Sequence, residues 1–332
     1  MTVQTSGGAG TASRVDMVCA FDIWPDGRAD PIDAAWPSPA KQDGAAYRWL
    51  HFDVSAQGFA GWARHHLPAL AAATLLQSET RPRCDVLEGG LILNLRGVNL
   101  NAGANAEDMV SLRLWISAGL IVSARLRKVW AIDAIRQEAE AGTAPQTLEH
   151  FLTAVTHGLT KRLEKASLHL VEETDALEER AIDAGPALSG ELAGLRQSVI
   201  KLRRFVRPQS EALADLAGGT VWPFDKQHVA LLEDTKNRVL RTLEELDAMA
   251  DRLSAIQDHV EVVQAAALGR NGYLLSVAAA IFLPLGFLTG LLGINVGGIP
   301  GTESPYAFAL VALASVLIGV LLFLVFRILK WL

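Results

Sequence analysis

The sequence has little cysteine: of 332 residues only Cys19 and Cys84 carry thiols, and they lie far apart. Two lone thiols make neither a C-x-x-C metal pair nor a disulfide framework, and they suit a reducing cytoplasm. No basic-then-apolar leader is present; MTVQTSGGAGTAS reads as part of a disordered tail over residues 1–14. No basic patch of the density that nucleic-acid binding needs is evident and the formal net charge is -6, which argues against nucleic acid as a partner. A phosphate-binding glycine loop, G-x-S-x-G and H-E-x-x-H are all missing. No catalytic constellation is visible, so neither an enzyme nor a bound cofactor is expected.

Charge itself is missing from two stretches. After Arg270 no Asp, Glu, Lys or Arg occurs until Glu303, and after Glu303 none until Arg327. Each run exceeds the roughly 20 residues that span a bilayer core. Arg270 before the first span, with Arg327 and Lys330 after the second, places both ends on the cytoplasmic side. The connection, residues 294–305, carries only Glu303 and is expected on the far side. The first span has a single titratable side chain, Tyr273, and the second only Tyr306, whereas an intramembrane proton relay normally needs an acid or histidine.

Ahead of the spans the chain divides into zones. Residues 15–128 read as an α/β domain, with strand-like runs at 17–24, 48–54, 90–95, 109–117 and 120–126. Gly89-Gly90 and Ala118-Gly119 favour antiparallel hairpins, and 60–66 and 68–77 look helical. Residues 129–224 form a helical hairpin region. One helix carries the stripe Leu148, Leu152, Val155, Leu159, Leu163, Leu170, Leu177. After Gly185-Pro186 a second carries a heptad seam: Leu188, Leu192, Leu195, Val199, Leu202, Val206, Gln209, Leu213, Leu216. Pro208 is expected to kink it, and the seam predicts coiled-coil-like packing. A third pattern, from Val229 to Val263, runs without a break into the first span. A helix over 225–293 would be on the order of 100 Å long, a stalk that copies bundled about an axis would explain. The second span covers 306–327.

The first span ends IFLPLGFLTGLLGIN (281–295) followed by VGGIPG. This stretch resembles the CorA-type divalent metal ion transporters, whose first membrane helix ends in a Gly-x-Asn signature, here Gly293, Ile294 and Asn295. The Gly-Ile-Asn variant resembles the zinc-transporting ZntB branch, and LRRFVRP (202–208) also resembles a family pattern. The resemblance implies a funnel-shaped homopentamer in a bacterial inner membrane, with the first span lining the pore, the motif at its outer mouth, and zinc as cargo with proton coupling. Two departures stand out: Leu292 where a tyrosine often precedes the signature, and Gly286 where a threonine is common.

If Gly286 faces the axis, helical spacing adds Leu283, Ala279, Ser276 or Leu275, Gly272, Gly269, Ala265 and Asp258. Such small residues could instead serve close helix packing, and Asn295 could merely cap a helix. An Asp258 ring would attract cations from the cytoplasmic side, and Glu303 would concentrate them outside; both could equally be solvated carboxylates. The histidines read as surface or packing residues. His65 and His66, being adjacent on a helix, should not point to one site. Acidic doublets such as Glu178-Glu179 could hold regulatory cations or lie on solvated faces. Rival readings are a magnesium, cobalt or nickel channel of the same architecture, and a non-conducting membrane-anchored scaffold or sensor.

Overall fold

The computed structural model describes residues 14–87, 89–184, 188–218, 224–294, 299, 301 and 303–328. The tail up to residue 13, the Gly185-Pro186 break and Asn295 lie outside these described residues. The chain divides into two compact units, residues 1–257 and 258–332.

Among the described residues of the first unit, seven strands make one sheet in the order β2-β1-β3-β7-β6-β5-β4. They are β1 Met17–Ile23, β2 Ala29–Pro31, β3 Tyr47–Asp53, β4 Arg83–Leu87, β5 Gly90–Gly97, β6 Val110–Ser117 and β7 Leu120–Arg125. Two helices, α1 Phe59–His66 and α2 Ala69–Leu76, cover one face. There Phe52 stacks on Phe59 at 4.6 Å and packs beside Trp62, with Leu50, Leu75, Ile92 and Val122 around them. On the other face Trp49 meets Phe151 of α4 (Leu148–Ala184) edge-on at 5.2 Å. With both faces covered, β3, β5, β6 and β7 are buried on alternate and intervening positions alike, which is why they read as continuous apolar runs.

The five expected strands are present. The structure adds β2 and β4, and it pairs β3 with β7 in parallel where only antiparallel hairpins were expected. The hairpin reading holds at Ala118-Gly119, where Ser117 faces Leu120 and Gly119 adopts φ +77°. Gly90 is required for another reason: a Cβ there would lie 2.4 Å from the Trp115 ring.

Four further helices follow β7: α3 Trp130–Glu140, α4, α5 Ser189–Ala217 and α6 Lys226–Gly293, the last running on into the second unit. Thr147 caps α4 by accepting the His150 N–H at 3.1 Å, and Asp225 caps α6 by accepting that of His228 at 2.8 Å. Every residue of the α5 seam is buried, and α5 continues through Pro208. Its packing differs from a pure coiled coil, because α5 lies against β4 and β5 as well as α4. Gln209, the polar member of the seam, accepts the Arg96 backbone N–H of β5 at 2.6 Å.

The buried seams of α4 and α6 interleave leucines with threonines whose hydroxyls donate to the carbonyl one turn back, as Thr174 does to Leu170 and Thr242 to Arg238. Ion pairs flank this contact. Arg238 binds Glu164 at 2.7 Å and Arg252 binds Asp175 at 2.6 Å and Glu178. The Glu178 carboxylate is therefore paired with an arginine of α6.

The second unit contains the remainder of α6 and α7 (Ala307–Ile328). Both helices include long, almost wholly exposed apolar windows of membrane-spanning length and composition. The expected order of α/β domain, long helices and C-terminal apolar helices is the order observed.

Candidate ion-conducting segment

The membrane part of α6 has two chemically different faces. Val277 is buried, Ile281, Leu285 and Leu288 are half-buried, and the Leu285 side chain comes within 3.9 Å of a Cβ position built on Gly319 of α7. These residues follow helical spacing and mark the side turned to α7. Gly272, Leu275, Ser276, Ala279, Leu283 and Gly286 fall on the opposite side and are all exposed, Leu275 at 73% and Leu283 at 74%. The stripe is mostly small, and a Cβ placed on Gly272, Gly286, Gly290 or Gly293 meets nothing within 4 Å among the described residues.

The hydroxyls of Ser276 on this stripe and of Thr289 beside it are bonded back to the helix's own carbonyls. Ser276 Oγ donates to Gly272 O at 2.9 Å, and Thr289 Oγ1 to Leu285 O at 2.9 Å. Pro284 lies inside α6 without ending it. Fourteen residues below Gly272, Asp258 is exposed and about 40° away around an ideal helix axis. At the other end Gly293 closes α6 and Ile294 is 48% exposed. Beyond the undescribed Asn295, Glu303 is exposed in a turn in which the Ser304 N–H donates to Gly301 O at 3.0 Å.

Away from this segment, no three of His, Cys, Asp and Glu converge on a metal site among the described residues. His51 is buried against Ser123 Oγ at 2.8 Å, and burial lowers its pKa to about 3. His157 is 3.2 Å from the Arg238 guanidinium, and His228 pairs with Asp225 at 2.8 Å. His65 and His66 occupy the last turn of α1, where their rings meet edge-on at 4.7 Å and pack against Trp36, as packing histidines do. Burial pushes both the Cys19 and Cys84 thiols up to about 12, which keeps them protonated and weakly nucleophilic at neutral pH.

The LRRFVRP stretch acquires a structural reason. Leu202 and Val206 belong to the α5 seam, Arg203 and Arg207 reach Asp247 of α6 at 2.6 and 3.0 Å, and Phe205 lies under the Arg96 guanidinium at 4.3 Å.

Residues 44–327 match the family described as CorA-like Mg2+ transporter protein. The chain belongs to that family. The divalent cation transporter CmaX of Pseudomonas aeruginosa is 36% identical over 289 residues, 86% of this chain and 87% of its own length. The zinc transport protein ZntB of Pectobacterium atrosepticum is 32% identical over 289 residues, 86% and 85% of the two chains. The solved full-length CmaX structure matches with a TM-score of 0.80 and 33% identity over 97% of this chain and 100% of that one. The CorA magnesium transporter of Methanocaldococcus jannaschii, 15% identical, shares the fold at a TM-score of 0.75 over 97% and 99%. Both solved full-length chains are matched along nearly their whole length, so the family's fold extends through the sheet domain, the long helices and the apolar C-terminal helices.

Proposed function

We propose that this chain is one subunit of a homopentamer that moves hydrated zinc across a bacterial inner membrane, with residues 1–270 and both termini in the cytoplasm. Family membership supports the coarser statement, a divalent cation transporter and not an enzyme. Zinc follows from the Gly-Ile-Asn ending together with the relatives named as zinc transporters.

The observation that carries the reading is the exposed stripe of small residues on α6 opposite its α7 face. Two apolar helices cannot enclose water, and a bare divalent ion in hydrocarbon is prohibitively costly. A pore therefore needs several copies, each turning this stripe to a common axis and its α7 to lipid. Leu275 and Leu283 would form the narrow apolar rings, with Gly272, Ser276, Ala279 and Gly286 leaving room for an ion that keeps its water. Asn295 carboxamides at the outer mouth offer neutral oxygens to that water shell, which recognise the ion without the grip of a carboxylate ring. Gly293 gives the backbone freedom to leave the helix there, and Ile294 lies between the two. Asp258 on the cytoplasmic side and Glu303 outside would raise the local cation concentration.

A magnesium cargo is the second reading, favoured by the description of the matched family. Proton coupling would have to work without an acid or histidine in the span, since only Tyr273 titrates there.

The test is flux into proteoliposomes of the purified full chain, comparing zinc with magnesium, with and without a pH gradient, beside the mass of the detergent-solubilised particle. Saturable zinc flux from a particle of five chains is the expected result. Magnesium flux without zinc flux would replace the cargo, a transporting monomer or dimer would remove the pentamer, and no flux of any divalent cation would leave the membrane-anchored scaffold.

A further inference from the structure

A cavity of about 440 Å³ in the first unit is lined by arginines from four separate segments: Arg81 before β4, Arg96 on β5, Arg127 after β7 and Arg204 on α5. Among the described residues none of the four makes a salt bridge. The carboxylates at the cavity are Glu79 and Asp108, and Asp108 is held by Lys201 at 2.8 Å. Arg96 is fixed over Phe205 and donates to Thr80 O at 2.6 Å and Met109 O at 3.0 Å, yet its Nε has no partner. The buried Thr80 hydroxyl in the same wall has none either.

Behind this wall lies Arg113 of β6, wholly buried. It donates through Nη2 to Gln77 O at 2.7 Å and, at 3.2 Å, to Ser78 O, a lining residue, while its Nε and Nη1 are unpartnered. Burial and the neighbouring Arg96 charge lower its pKa to about 10, so it remains charged at neutral pH. Arg96 feels the Glu79 carboxylate as well as the Arg204 charge, whereas Arg113 is wholly buried and faces only the repelling Arg96, a costly arrangement to leave uncompensated. An anion in the adjoining cavity would offset it.

We propose that this cavity binds a phosphate-bearing small molecule carrying two or more negative charges. The planar guanidinium fork matches phosphate oxygens in pairs, and the volume lies in the range of small-molecule sites. Four cations against Glu79 and an already paired Asp108 call for a multivalent anion. The proposal stands on the soluble unit alone and is independent of the cargo.

The full chain in detergent is titrated calorimetrically with sodium pyrophosphate in metal-free buffer. The variants are the double substitution Arg127→Gln with Arg204→Gln, both at exposed rim positions, and Arg180→Gln as an arginine control elsewhere. The expected result is binding to the wild type and to Arg180→Gln that weakens as salt is raised, and a loss of about tenfold or more in the double variant. Absence of binding at millimolar pyrophosphate, or equal affinity in the double variant, overturns the site. Citrate binding as tightly as pyrophosphate overturns the phosphate assignment.

Discussion

Replacing Gly286 by leucine separates a lining role for the α6 stripe from a packing role, because the two make opposite statements about stability. A Cβ at Gly286 meets nothing within 4 Å among the described residues, so a larger side chain starts into open space within one chain. Glycine inside a helix is less favourable than alanine by about 0.5–1 kcal/mol, so the substitution should hold or raise the stability of α6. Around a shared axis the same change adds one isobutyl group per subunit at a single level of the pore. We expect normal expression, an unchanged or higher Tm, an intact oligomer by size, and zinc flux reduced by roughly tenfold or more. Gly319→Leu is the contrast: its Cβ would already touch Leu285 Cδ1 at 3.9 Å, so it should disturb the α6–α7 contact and lower stability. Wild-type flux per assembled particle in Gly286→Leu would refute the lining role. Loss of assembly in Gly286→Leu would show that the stripe packs copies together.

Further outcomes follow from other parts of the chain. Asp258→Ala should reduce zinc flux most at low ionic strength, since a charge ring acts through screened fields; unchanged flux at every salt concentration would make Asp258 a plain surface residue. Burial holds His51 neutral in the fold, with its pKa lowered from 6.5 to about 3. Its contribution is therefore complete above pH ~6.5 and lost as pH falls towards ~3, at up to about 1.4 kcal/mol per pH unit. Thermal melts should show a shallower acid loss in His51→Asn than in the wild type, and equal slopes would refute this. Cys19 and Cys84, both pushed up to about 12, should resist a thiolate-specific reagent at pH 7 until the chain is denatured; rapid labelling of the native protein would contradict the burial.

What could be read from the residues followed the strength of each pattern. The α5 seam and the long α6 pattern are written in spacings of three and four, and each seam position on α5 is buried. The strands buried on both faces announce themselves as apolar runs. By contrast β4, with the sequence RCDVL, is a half-exposed edge strand whose Arg83 and Asp85 pair with each other at 3.3 Å. Charge on an edge strand guards against further pairing and hides the strand from a hydrophobicity pattern. β2 is three residues ending in proline, and the parallel β3–β7 pairing joins segments that no local turn connects. The seam itself does not say whether its partner is a helix or a sheet, which is why α5 on β4 and β5 was not foreseen. The arginine cavity was invisible for a similar reason, since its walls come from four distant segments. The shared exposed face of the α6 stripe follows from helical spacing, because one helix carries all of it, while its lining role is what the flux experiments test.

The central claim rests on Asn295 at the end of the first span. Flux of zinc into proteoliposomes per correctly assembled particle, compared between wild type, Asn295→Ala and Asn295→Asp, tests it most directly. The account predicts near-complete loss in Asn295→Ala with the oligomer intact, because every side-chain acceptor in the ring disappears at once. In Asn295→Asp it predicts reduced flux with altered selectivity, because added negative charge holds a divalent ion more tightly. A residue that only capped a helix would lose about 0.5–2 kcal/mol of stability on truncation and leave transport by assembled particles untouched. Wild-type zinc flux in Asn295→Ala would contradict the account.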